Sequence, residues 1–291
     1  MRVTLLHNPG SGGERHDQED LQRLVHDAGH ELIYRSIHVP GWESTIDIAT
    51  DLVVAAGGDG TVRAVFKEVA ARAKGPVTIL PTGSANNIAR TLGLDRDLAE
   101  VVQAWTSPRR ARYDVCEVRA DSFTTAFVES VGGGVFAESI ARADDPGGEE
   151  KLDHGLRVLQ EVVAEAPAQQ WHVSADGVER DGDFLAVEVL NTRETGSNVV
   201  LAPHADPGDR QLDLVEVRPE HREELAEYAR ARLRGEDAGL DLPALRASRI
   251  AIRPPRGTPL RIDDEAWPGG VNTDQATLEL SPGHALELWL P

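Results

Sequence analysis

Two hydrophobic periods alternate over the first 110 residues. Arg2–His7 is a short apolar run of strand character, and Asn8–Gly13 after it is rich in turn formers. Over Asp17–Ala28, the apolar positions Leu21, Leu24, Val25 and Ala28 follow helical spacing. Glu31–Ile37 reads as a second strand. Leu52–Ala56 is a continuous apolar run, as expected of a parallel strand covered on both faces. Val62–Ala73 returns to the helical period and Val77–Leu80 to the strand one. Strand and helix in alternation predict an α/β fold, a doubly wound parallel sheet.

Beyond residue 112 the texture changes. Short β-type runs occur at Tyr113–Val118, Phe123–Val131, Gln170–Ala175, Phe184–Leu190, Leu212–Val217, Ser248–Ile252, Leu260–Asp263 and Ala285–Leu290. Turn formers such as Ala175-Asp176-Gly177 separate some of them. This pattern predicts an antiparallel β domain, a sandwich, interrupted by helices near Leu152–Ala164 and Glu220–Leu233. The domains expected are therefore 1–112 and 113–284. Asp144–Glu150, acidic and glycine-rich, reads as a mobile loop.

The chain has 291 residues and a formal charge of −19. That balance repels polyanions, so nucleic acid is not an expected partner. With Cys116 as the single cysteine, disulfide frameworks and cysteine-based zinc sites are excluded. No apolar run approaches the roughly 18 residues of a membrane span. The N-terminal stretch is too short in apolar residues for a signal peptide, so a cytoplasmic location is expected.

Three segments carry candidate chemistry, and each follows a predicted parallel strand. Ligands of open α/β sheets bind at that carboxyl edge. Gly57-Gly58-Asp59-Gly60-Thr61 joins a buried strand to a helix, where glycines allow close backbone approach and free N–H groups suit phosphate. Asp59 makes electrostatic sense there if it faces a metal ion or a reacting hydroxyl; the alternative is a plain turn. Asn8-Pro9-Gly10-Ser11-Gly12-Gly13 is a second glycine-rich loop, neither a Walker A loop nor a Rossmann fingerprint. The third, Pro81–Arg90 (PTGSANNIAR), offers the amides of Asn86 and Asn87 for ligand oxygens, Arg90 for phosphate charge, and Ser84 as a helix cap.

Taken in order, NPGSGG, GGDGT and PTGSANNIARTLGL resemble the catalytic domain of the bacterial diacylglycerol kinase and lipid kinase family, related to sphingosine kinases and more distantly to NAD kinases. The later segments LAPHADPGDRQLD (Leu201–Asp213) and IDDE (Ile262–Glu265) resemble that family's second-domain motifs. The resemblance implies an N-terminal nucleotide-binding α/β domain, an antiparallel β-sandwich domain, an active site in the interdomain cleft, and a C-terminal segment, about 285–291, that returns to the first domain. It implies ATP contacts at Asn8, Pro9, Gly10, Ser11, Gly12, Ser36, Gly57, Gly58, Asp59, Gly60, Thr61, Val62, Arg63 and Ser84, beside Asn86 and Asn87. Glu265, with Asp263, would take the proton from a lipid hydroxyl, and Asp59 would act directly or through Mg²⁺. Asp206, Asp209 and Gln211 match the family's Mg²⁺ site, where closely spaced oxygens suit a hard cation. Asp114 matches an aspartate near the active site.

The implied activity is ATP-dependent phosphorylation of diacylglycerol or a related hydroxyl lipid, with transient peripheral contact at the inner membrane face. The alternatives are a small-molecule kinase of the NAD type and a nucleotide- or lipid-binding protein without turnover. The sequence does not fix the oligomeric state, a homodimer being one option. Three positions depart from the family pattern: Asn87 replaces an aspartate, and Arg210 and Asp264 each replace a glycine.

Overall fold

The computed structural model describes residues 1–13, 16–121, 123–143, 150–268 and 276–291. Of the acidic loop expected at Asp144–Glu150, residues 144–149 lie outside them, and Glu150 is the first residue of a helix. The chain divides into two compact units, Met1–Val115 with His284–Pro291, and Cys116–Gly283.

In the first unit the strands β1 (Arg2–His7), β2 (Glu31–Ser36), β3 (Leu52–Gly57) and β4 (Val77–Pro81) pair in parallel in the order β2-β1-β3-β4. All six residues of β3 are buried, which is why its sequence is continuously apolar rather than alternating. Helix α1 (Gln18–Asp27) starts where the Asp17 carboxylate accepts the Asp20 N–H, and it buries Leu21 and Val25. Helix α2 (Asp59–Ala71) begins directly after the GG turn, three residues earlier than its apolar pattern, because glycine and aspartate fill its first turn. It buries Val62, Val65, Phe66 and Val69, and Phe66 meets Tyr113 edge to face at 5.1 Å between ring centres. Helices α3 (Asn87–Thr91) and α4 (Leu98–Ala104) follow β4. A 3₁₀ turn at Trp42–Asp47, which buries Trp42 and Ile46, had no legible period.

Among the described residues, the strands of the second unit fall into two larger sheets and one two-stranded pair. From the shared strand β5 (Arg109–Ala120), Cys116–Ala120 pairs antiparallel with β6 (Phe123–Phe127). The run read as one strand over Phe123–Val131 breaks at Val128 and Glu129, and β7 (Ser130–Gly134) belongs to the other sheet. Helices α5 (Val135–Arg142) and α6 (Glu150–Glu165) come next, then β8 (Gln169–Ala175), β9 (Val178–Glu179), β10 (Gly182–Phe184) and β11 (Ala186–Leu190). The short pair β12 (Glu194–Thr195) and β13 (Val199–Val200) precedes β14 (Leu212–Val217) and α7 (Arg222–Leu233). The remaining strands are β15 (Ala244–Ala247), β16 (Ile250–Arg253), β17 (Leu260–Ile262), β18 (Glu265–Ala266) and β19 (Leu278–Leu290).

One sheet runs β15-β14-β11-β7-β17-β18; β8, β16 and the first residues of β19 form the other. Between them lies a core that includes Trp171, Val187, Val189, Leu214 and Ile252. The opposite face of β11 and β14 is covered by α5, α6 and α7 through Leu159, Val163, Leu225 and Tyr228. Both strands are thus buried throughout. The architecture is an N-terminal α/β unit with a parallel sheet followed by an antiparallel sandwich. β19 is longer than its expected 285–290: its early residues pair with β16, and Leu288 pairs in parallel with Val77 of β4.

Candidate functional site

Parallel pairing puts the ends of β1, β3 and β4 at one edge of the first unit's sheet, and the three loops there bond to one another. Thr82 N–H donates to the Gly57 carbonyl at 3.1 Å. The Ser11 hydroxyl lies 2.7 Å from that of Thr82. The Asp59 carboxylate accepts the backbone N–H groups of Asn87 and Ile88, each at 3.0 Å. It thereby caps α3 from a different loop, the part Ser84 would have as a plain helix cap rather than a nucleotide contact. Asn86, in the left-handed region at φ 52°, closes its own loop, its side-chain amide accepting the Gly83 N–H and donating to the Gly83 carbonyl.

The glycines serve first to let these loops touch. A Cβ on Gly83 would stand 2.2 Å from Gly58 Cα, and one on Gly12 2.0 Å from the Thr82 carbonyl oxygen. A Cβ on Gly57 would overlap Thr61. Gly10 and Gly60 are exposed, and Gly60 lies in the first turn of α2, where the Thr61 N–H donates to the Gly58 carbonyl at 3.0 Å. Asn8 accepts the Gly10 N–H through its side chain at 3.1 Å, and Pro9 completes the turn. Ser36 ends β2 in register with His7, beside the first loop, and its hydroxyl accepts the His38 N–H. Val62 and Arg63 are buried in α2, and the Arg63 guanidinium reaches back to exposed Gly60, 3.5 Å from where a Cβ there would stand. Arg90 is ion-paired with Asp95 at 3.3 Å. Buried His7 bonds the Tyr34 hydroxyl through Nδ1 at 2.9 Å, and burial lowers its pKa. Buried Asp114 is paired with Arg112 at 2.6 Å.

In the second unit the IDDE segment forms the tight hairpin between β17 and β18, with Ile262 opposite Glu265. Glu265 and Asp264 are exposed, whereas Asp263 is buried. The Asp263 carboxylate accepts the N–H groups of Val128 and Glu129 at 3.0 and 2.8 Å. That bond pair, made by Oδ1 alone, occupies the break between β6 and β7 that the periodicity does not show, and it anchors the hairpin there. Asp263 is the hairpin residue with positive φ (56°), so Asp264 keeps an ordinary backbone in the place of the family's glycine.

Around this hairpin is a buried polar cluster whose ion pair, Glu188 and Arg261, no sequence motif singles out. Arg261 Nη2 donates to Glu188 Oε2 at 2.5 Å and to the Thr195 hydroxyl at 2.7 Å. Its Nη1 donates to the Ser130 hydroxyl at 3.0 Å and to the Asp263 carbonyl. Asn191 donates to the Val128 carbonyl at 2.8 Å. Full burial raises the Glu188 pKa to about 7, against the pull of Arg261, and burial raises that of Asp213 to about 6. The legible signal was Gly132-Gly133-Gly134 inside a strand, since strand glycines mark close approach.

In the Asp206–Gln211 loop, the expected Mg²⁺ site, the carboxylates bond to the loop's own backbone, and Asp209 Oδ2 is buried without a hydrogen-bond partner among the described residues. Asp206 accepts the Gly208 N–H at 2.9 Å, and Asp209 accepts the Gln211 N–H at 2.8 Å while forming an ion pair with Arg246 of β15. A cation at Asp209 would have to displace that guanidinium. Arg210, in the place of the family's glycine, holds the left-handed backbone at φ 64°.

Residues 2–118 match the diacylglycerol kinase catalytic domain, and residues 129–285 match the YegS C-terminal NAD kinase beta sandwich-like domain. A protein of Pseudomonas aeruginosa strain PAO1 named "Probable lipid kinase YegS-like" is 30% identical over 212 residues, covering 69% of this chain and 68% of that one. The diacylglycerol kinase of Bacillus subtilis strain 168 is 25% identical over 279 residues, 91% of this chain and 89% of its own. A crystal structure of a diacylglycerol kinase from Bacillus anthracis superposes with a TM-score of 0.68 at 18% identity, over 100% of this chain and 97% of that one. At that identity the likeness speaks for the fold.

Proposed function

The chain belongs to the diacylglycerol kinase and YegS family of lipid kinases, and from that premise we propose that it transfers the γ-phosphate of ATP to the free hydroxyl of diacylglycerol or a related lipid. The observation that carries this reading is the mutual bonding of the three loops, Ser11 to Thr82, Thr82 to Gly57 and Asp59 to Asn87 and Ile88. Phosphoryl transfer asks a protein chiefly for positioning and for stabilisation of phosphate charge. Loops fixed to one another at the carboxyl edge of a parallel sheet supply the positioning. Exposed Gly10 and Gly60 leave room for phosphate oxygens to approach the backbone, and the positive end of the α2 dipole favours their charge.

In this reading Asp59 acts through the loop it caps. Glu265, exposed at the tip of its hairpin, accepts the proton of the lipid hydroxyl as its oxygen bonds to phosphorus and the bond to ADP breaks. A positioned base is worth roughly 10²–10⁴-fold in rate. Mg²⁺ enters only as the nucleotide's counter-ion, not as a resident of the Asp206–Gln211 loop. Among the described residues no helix is long and apolar enough to cross a membrane. In this reading the lipid is reached by transient peripheral contact with a membrane face.

The deciding experiment incubates the protein with γ-labelled ATP and micelles of diacylglycerol, other hydroxyl lipids, or NAD. Label in a lipid is the expected result. Label in NAD instead would replace lipid by nucleotide as acceptor, and ATP binding without transfer to any of them would make the chain a binding protein.

A further inference from the structure

The buried pair Glu188 and Arg261 stands across three strands. Both residues are opposite Gly132 of β7, Glu188 from β11 on one side and Arg261 from β17 on the other. Adjacent strands are roughly 4.8 Å apart, so the two side chains meet by crossing the middle strand. Only a glycine there permits it: a Cβ on Gly132 would lie 2.2 Å from the Glu188 carboxylate. Glu188 is 0% and Arg261 1% exposed. A buried ion pair of this kind is a poor source of stability, since well-packed apolar residues commonly do as well or better. What the pair does is orient. With Nη2 held by Glu188 and Thr195, Nη1 is aimed at the Ser130 hydroxyl and at the main-chain carbonyl of Asp263. Asp263 in turn holds the Val128 and Glu129 N–H groups, and its own N–H donates to the Ser130 carbonyl at 2.7 Å. Glu265 lies two residues further on, in register with Ile262.

We propose that Glu188 and Arg261, joined over Gly132, are positioning residues that fix the Asp263–Glu265 hairpin and so set the direction of the Glu265 carboxylate. This rests on Glu265 being the base of the proposed reaction. The pair reaches the hairpin through the Asp263 carbonyl, and the Asp263 carboxylate ties the hairpin to the β6–β7 break. Two independent ties on one residue leave the turn a single orientation.

The test replaces both members by apolar residues, Arg261→Met with Glu188→Leu, so that no lone charge is buried. The expected outcome is a folded protein whose KM for ATP stays within about twofold, since nothing in the first unit changes, while kcat on the lipid that the wild-type protein phosphorylates falls by about tenfold or more. Glu265→Gln, costly in the wild-type background, should then cost less than about threefold on top of the swap, because a misdirected base has little left to lose. Amide exchange of Val128, Glu129 and Asp263 should rise by about tenfold whichever lipid is accepted. Unchanged kcat, unchanged exchange, or costs of the swap and of Glu265→Gln that simply multiply would overturn the positioning role alone. A fully active Glu265→Gln in the wild-type background would overturn the base assignment and this inference with it. If the swapped protein does not fold, Asp263→Asn, which keeps the shape and removes the charge, enters the same cycle, with the same outcomes deciding.

Discussion

At the scale of single residues, Asp59 shows how a motif's chemistry can lie in what it holds. Its carboxylate satisfies two backbone N–H groups at the start of α3. Asp59→Ala would strip both, and caps of this type are worth about 1–2 kcal/mol each. A loss of that order in thermal unfolding is expected. Transfer should fall by about 10²-fold or more, because displacing a catalytic loop by about an ångström is costly. Asp59→Asn, which keeps one acceptor oxygen, should lie between the two. Wild-type transfer by the Ala variant would remove Asp59 from the machinery. The residue type and its place in GGDGT were legible in the sequence; its partners, 28 and 29 residues away, were not.

At the scale of elements, the departures from the family pattern separate. Asp264 costs nothing in backbone terms, since the positive φ of its hairpin falls on Asp263. Asn87 still donates its N–H to Asp59. Arg210 keeps a glycine-like φ in a loop whose Asp209 is neutralised by Arg246. The guanidinium takes up the charge that a cation would otherwise balance, so added Mg²⁺ should leave the unfolding of the second unit unshifted. Arg246→Met should lower stability modestly, by about 1 kcal/mol or less for so open a pair. It should also make the melting temperature rise with millimolar Mg²⁺. A wild-type protein that gains stability with Mg²⁺ through peptides of β14 and β15, followed by hydrogen exchange, would contradict this. The sequence located this loop, but Arg246 is on a separate strand, and only the β14–β15 register brings it there.

At the scale of the whole molecule, the two units respond to pH with opposite signs. In the first, burial holds His7 and His30 below their ordinary 6.5. The unfolded chain then binds more protons than the folded one on acidification, and stability is lost as pH falls through about 6.5. In the second, Glu188 and Asp213 titrate near 7 and 6 instead of 4.5 and 3.8. There the folded state holds protons that the unfolded state has released, so stability declines as pH rises from about 4 to about 7. Between pH 5 and 7, exchange protection of β1 should increase while that of β11 and β14 decreases; equal slopes in both sheets would refute the assignment. The alternation of strand and helix, the gathering of three glycine-bearing loops at one sheet edge, and the β-rich second half follow from the sequence by itself, because periodicity and turn chemistry act over a few residues. Tertiary structure alone decided that Asp59 caps a neighbouring loop, that Asn86 closes its own, that Asp263 ties its hairpin to the β6–β7 break, and that Glu188 meets Arg261 over Gly132. Those contacts join residues up to 135 positions apart. They depend on strand register and on which face each side chain takes, and neither is encoded in local pattern.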